Sequence, residues 1–88
     1  SAKIFLARIP PVIGRPARNQ LARSFNTAIA DLVAEFAATH PGRVLLGPDF
    51  FAHFNTHPTE MNSDGFHPNG IGYQSMAALW FDAIAGKI

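Results

Sequence analysis

The densest run of chemically capable side chains is Asn62-Ser63-Asp64-Gly65-Phe66-His67-Pro68-Asn69-Gly70. An Asp three residues ahead of a His can turn its carboxylate onto the imidazole Nδ1–H. That fixes the tautomer and leaves Nε2 free as a base, the part Asp plays in a Ser-His-Asp triad. Gly65 lets the intervening backbone turn sharply. Pro68 disfavours a helical His67, so the imidazole is expected in extended chain just outside a helix that Asn69 caps. The plainer alternative is a loop-capping Asp beside a surface His. The density of polar and turn-forming residues favours the catalytic reading of Asp64 and His67.

Other residues carry weaker signals. His53 and His57 stand four apart, the spacing of a helical metal pair, and Asp49 and Asp64 could complete such a site. Phe, Asn and Thr between them and Pro58 after them argue against a helix, so the expected role is to line or flank a substrate groove, with no metal. Phe50, Phe51, Phe54 and Phe66 admit two readings of equal weight, an acyl pocket or a core that anchors a loop. Asn26 lies beside the apolar face of its predicted helix, where a buried amide bonding nearby backbone is the simplest role. His40, at a predicted helix C-terminus, compensates the helix dipole or faces solvent.

These residues need elements to position them. Lys3-Ile4-Phe5-Leu6-Ala7 reads as a short apolar strand, ended by Pro10-Pro11. Residues 12–18 read as loop. Over 19–39, Leu21, Phe25, Ile29, Leu32, Val33 and Phe36 recur at helical spacing, opposed by the polar line Arg23, Thr27, Asp31 and Glu35. Arg43-Val44-Leu45-Leu46 is a second apolar strand, stopped by Gly47-Pro48, and 49–68 reads as a long structured loop. Helical periodicity returns over 69–85, with Tyr73, Met76, Ala77, Trp80 and Ile84 on one face and Gly86 as its stop. Strand, helix, strand implies a parallel pair joined by a right-handed crossover. Continuous apolar strands belong to sheets covered on both faces, and two strands alone are marginal. The expected fold is therefore α/β, with a sheet that continues beyond these 88 residues.

Asp64-Gly65-Phe66-His67-Pro68-Asn69, followed by Gly72-Tyr73 and Met76-Ala77, resembles the last block of the SGNH/GDSL hydrolases. Those are esterases, lipases, thioesterases and carbohydrate acetylesterases of flavodoxin-like three-layer α/β/α fold. Upstream, Ile9-Pro10-Pro11 after a strand and Phe25-Asn26 with Ile29 on a helix agree. The resemblance implies that residues 1–88 are the C-terminal β-α-β-α segment of one such domain. It makes His67 the general base and Asp64 its orienting acid, with no metal or organic cofactor. The family's Gly-Asp-Ser nucleophile block and its oxyanion Gly and Asn blocks are absent here. Ser24, Ser63 and Ser75 all lack that context. The implied partners are the N-terminal part of the same domain and a small ester or acetylated carbohydrate, with an extracellular location by family analogy. The competing readings are a non-catalytic assembly chain that oligomerises through an open sheet edge and, last, a small His-based metal-binding module.

Composition narrows the classes. Hydrophobic residues make up 48% and charged residues 15%, which argues against disorder and for a surface that expects a covering partner. With no cysteine there is neither a disulfide framework nor a thiolate zinc site. No apolar run approaches the ~18 residues of a membrane span. The net charge of +1 hides an asymmetry, since six of the seven basic residues lie in 1–43 and four of the six acids in 44–88. Arg8, Arg15, Arg18 and Arg23 straddle a Pro/Gly loop without interleaved aromatics, so nucleic acid is not an expected partner.

Overall fold

A computed structural model describes residues 2–88. Strand β1 (Ile4–Arg8) leads into helix α1 (Pro16–Thr39), strand β2 (Val44–Asp49), helix α2 (Phe50–Thr56), a 3-10 turn (Pro58–Glu60) and helix α3 (Gly70–Ile84). The two strands pair in parallel, Ile4 opposite Val44 and Leu6 opposite Leu46, making a mixed α/β arrangement on a two-stranded sheet. No helix among the described residues is long and apolar enough to cross a membrane.

Several boundaries differ from the sequence reading. β2 does not stop at Gly47-Pro48 but runs through them to Asp49. The register slips between Leu6 and Arg8, so the proline that cannot donate a ladder bond falls at an irregularity of the pairing. Gly47 is needed there, because a Cβ would lie 3.0 Å from the Trp80 ring and 3.2 Å from the Ala7 nitrogen. α1 starts at Pro16 rather than after residue 18, since proline is tolerated in a first helical turn where no N–H partner exists. The stretch 49–68 is not a loop throughout. Asp49 caps α2 by accepting from the Ala52 N–H at 3.0 Å, and this short helix holds Phe50 and Phe54 inward.

The core sits where α2, the turn and α3 meet the sheet. Phe50, Phe54 and Met61 are buried, with Ala7, Ile13, Met76, Leu79 and Trp80 packed around them. Trp80 meets Phe50 edge-on at 6.0 Å, the core role expected of it. The helix faces are turned from those anticipated. On α1 the inward line is Ala22, Asn26, Ile29, Ala30 and Val33, while Leu21, Phe25, Leu32 and Phe36 stay exposed. On α3, Tyr73 is exposed and Gly72 is buried, pressed so closely on the Glu60 carbonyl and Phe54 that no side chain fits.

Two asparagines about two helical turns apart set the rotation of α1. Asn26 accepts from the Ile9 N–H at 2.7 Å and donates to the Ile9 carbonyl at 3.0 Å. Asn19 does the same with Val12, at 2.7 and 2.9 Å. Each amide imitates a neighbouring strand and satisfies the backbone where Pro10-Pro11 has ended β1. Asn26 thus has the structural role read from its position.

Candidate active site

The loop carrying Asp64 and His67 is built before its side chains are considered. Its two arms are bridged by Met61 and Pro68, and the Asn62 N–H donates to the His67 carbonyl at 2.7 Å. Gly65 closes the turn at φ +70°. Its carbonyl accepts from the Ile13 N–H at 2.8 Å, and a Cβ on it would lie 2.7 Å from the Ile13 oxygen. The loop is thereby fastened to the segment leaving β1, beyond that strand's carboxyl end, the position where open parallel sheets bind ligands. On its far side Asn69 caps α3, accepting from the Gly72 N–H at 3.0 Å and donating to the Thr59 carbonyl at 2.8 Å.

Within this frame the Asp64 Oδ2 lies 2.8 Å from the His67 Nδ1. Asp64 Oδ1 accepts from the backbone N–H groups of Phe66 and His67, at 2.9 and 3.1 Å. The His67 hydrogen bond, followed by these two backbone donors, lowers the Asp64 carboxyl to about 2. The carboxylate is ionised at neutral pH and cannot turn away without losing its backbone bonds. The bond to Nδ1 leaves the His67 Nε2 unencumbered, and the His67 side chain is 61% exposed. Chemically this is an oriented base open to an approaching nucleophile.

Beside it runs an apolar groove of about 460 Å³, lined by Ile9–Val12, Leu21, Phe25 and Phe66, with Arg18 its one charged lining residue. Phe66 meets the His67 ring edge-on at 4.8 Å, so groove and imidazole adjoin. The four phenylalanines divide between their two readings. Phe50 and Phe54 are core, Phe66 faces the groove, and Phe51 is half-buried with the Arg23 guanidinium 4.9 Å above its ring. Among the described residues, no serine hydrogen-bonds His67: Ser24 donates to the Gln20 carbonyl, Ser75 to Glu60, and Ser63 is exposed.

His53 and His57 are arranged as their four-residue spacing implied, against the reading that their neighbours forbid a helix, and neither lines the groove. Because residues 50–56 are helical, His53 and His57 do come together, their rings stacked at 4.3 Å and 8° from parallel. Asp49 and Asp64 do not join them. Asp49 caps α2 and pairs with Arg8 at 3.3 Å, and Asp64 belongs to His67. Glu60 stands in their place, with its Oε1 2.9 Å from the His53 Nε2 and 2.5 Å from the Ser75 Oγ. Donation by His53 and then by Ser75 lowers the Glu60 carboxyl from its ordinary value. Glu60 and Ser75 were missed by the sequence reading. The signal that could have found Glu60 is its place three residues after His57, provided that 50–56 is recognised as helix. His40 is exposed at the end of α1, with Nδ1 2.8 Å from the Thr39 hydroxyl.

No family model matches the chain, and no curated protein or solved structure matches it either.

Proposed function

We propose that this chain is the C-terminal segment of an SGNH/GDSL-type ester hydrolase with a flavodoxin-like α/β/α fold. In this reading it supplies Asp64 and His67, and the serine nucleophile and oxyanion donors come from an N-terminal part of the same domain. The observation that carries the reading is the 2.8 Å bond between Asp64 Oδ2 and His67 Nδ1, with the other carboxylate oxygen held by two backbone N–H groups. A surface histidine with no proton to move has no need of a carboxylate locked on both oxygens. The adjoining groove, apolar except for Arg18, supports an acyl group as the part of the substrate nearest His67.

In this reading the chemistry is acyl transfer through that serine, with His67 as the base. His67 Nε2 takes the proton of the serine hydroxyl as its oxygen attacks the ester carbonyl, and Asp64 stabilises the imidazolium. The same proton then passes to the leaving alcohol. In the second half His67 takes a proton from water, whose oxygen attacks the acyl-enzyme, and returns it to the serine.

A second reading, a non-catalytic assembly chain, is favoured by one observation: both helices keep large apolar side chains in solvent, Leu21 and Phe25 on α1, Ile71 and Phe81 on α3. One experiment separates the two. The protein that contains this segment together with its N-terminal part is treated with a serine-directed phosphonate and mapped by mass spectrometry. Hydrolase function gives p-nitrophenyl acetate turnover, abolished by a single adduct on a serine other than Ser1, Ser24, Ser63 or Ser75. Absence of both turnover and adduct rejects the hydrolase and leaves the assembly reading.

A further inference from the structure

We propose that His53, His57 and Glu60 bind one divalent first-row transition cation, with Zn²⁺ the best suited, and that the ion staples α2, the 3-10 turn and α3 together. The inference is independent of the hydrolase reading and uses none of its residues. Two imidazoles and a carboxylate form a ligand set that zinc accepts readily, with a fourth position left to water.

The geometry brings one donor atom from each of the three side chains within 4.8 Å of the others. Ligand bonds of about 2.0–2.2 Å place donor atoms roughly 3.3 Å apart around a tetrahedral ion. The His53 Nε2 and Glu60 Oε1, at 2.9 Å, must therefore part by a few tenths of an ångström, and the widest gap must close by about 1.5 Å. His57 supplies that movement. Its ring is exposed and stacked nearly parallel on His53, so their nitrogen lone pairs lie in parallel planes that do not converge. Rotating this solvent-facing ring out of the stack exchanges its Nδ1 contacts with the His53 carbonyl, at 2.8 Å, and the Thr56 hydroxyl, at 3.0 Å, for the ion, and leaves the core in place.

The other two ligands are already arranged for a cation. A proton shared between His53 Nε2 and Glu60 Oε1 occupies the place the ion would take. On binding, the Nε2 proton is displaced, either to solvent or onto Nδ1, and the Nε2 lone pair faces the metal. Ser75 donates to Glu60 Oε1 from the second turn of α3, the kind of outer contact that orients a ligating carboxylate. The side chains of His53 and Glu60 are only 18% and 16% exposed, so the ion would be partly shielded from water. The chain has a small core and no cysteine, and a metal is a common staple for a domain of this size. The Glu60 carbonyl also accepts the Asn69 N–H at 2.9 Å, so the same staple braces the base of the Asp64–His67 loop.

The test is titration of the metal-stripped full chain with Co²⁺, followed by its visible absorption, with Zn²⁺ as competitor. The expected result is saturable binding of one ion per chain, displaced by Zn²⁺. His57→Ala should weaken binding at least about tenfold with helical circular dichroism unchanged, since loss of an outer-shell contact alone costs about 10–100-fold. Glu60→Gln, which keeps hydrogen-bonding capacity but removes the charge, should do the same and carries the test if His57→Ala loses helicity. Ser75→Ala should cost about tenfold, and His40→Ala nothing. Absence of one-to-one binding, or binding undiminished in both His57→Ala and Glu60→Gln, overturns the proposal.

Discussion

Asp64 uses its two carboxylate oxygens for different tasks: one shapes the turn through Phe66 and His67, and the other orients an imidazole. This coupling has a pH signature. A carboxyl lowered to about 2 from an ordinary 3.8 contributes loop order that is fully present above pH ~3.8 and is lost as pH falls through about 2. The amide resonances of Phe66 and His67 should therefore titrate together with a midpoint near 2, and a midpoint near 3.8 would contradict the locked carboxylate. Gly65 permits the arrangement. Gly65→Ala places a Cβ 2.7 Å from the Ile13 oxygen at a φ of +70°, so in the protein that joins this segment to its N-terminal part it should cost about 1–3 kcal/mol in denaturant unfolding. An unchanged unfolding midpoint would show that the turn tolerates a side chain. Of the features at this scale, the Asp64–His67 pair was legible because the partners stand three positions apart and local chemistry decides their meeting. The His53–Glu60–Ser75 cluster was not, because Ser75 meets Glu60 across fifteen positions and only the packing of α3 brings it there.

At the scale of elements, α1 is held less by its apolar stripe than by its asparagines. Removing the Asn26 amide leaves the Ile9 N–H and carbonyl without partners in a part-buried position. In the protein that joins this segment to its N-terminal part, Asn26→Leu should thus cost about 1–3 kcal/mol by thermal or denaturant unfolding although it adds apolar surface, because unsatisfied backbone groups outweigh the gain. A stabilised variant would mean that burial of the apolar face, not the amide, fixes the helix. The ends of the elements were largely readable: Pro10-Pro11 after β1, Asn69 at the start of α3 and Gly86 beyond its end each act through backbone geometry alone. What escaped was decided by neighbours. The periodicity of α1 spans more apolar residues than one sheet face can cover, so the inward line lies about one residue, roughly 100°, round from the stripe of large side chains. α2 is short, and its aromatic and β-branched residues are weak helix formers, so packing of Phe50 and Phe54 against α3 rather than propensity makes it.

The whole molecule is thin, 42 × 27 × 16 Å, and more open than its size requires. It exposes 5719 Å², against about 5,050 Å² for a compact monomer of 9.5 kDa, and its radius of gyration is 14.1 Å against about 12 Å. Among the described residues the sheet has two strands, and Leu21, Phe25, Ile71 and Phe81 stand in solvent, so strand edges and apolar faces are open to association. The chain on its own should therefore self-associate or unfold without a sharp transition. A concentration-independent monomer in sedimentation with cooperative melting would contradict this. The proposal that the chain completes a hydrolase stands or falls on His67. In the protein that joins this segment to its N-terminal part, kcat should be compared for His67→Ala, Asp64→Asn, His53→Ala and His57→Ala. The predicted result is a fall of about 10⁴-fold or more for His67→Ala, with folding intact, and a smaller but large fall for Asp64→Asn, whose amide presents a donor to Nδ1 and reverses the tautomer. The other two variants should lose far less, because neither His53 nor His57 borders the groove. Near-normal kcat in His67→Ala, with His53 or His57 indispensable, would contradict the assignment and move the chemistry to the second histidine cluster.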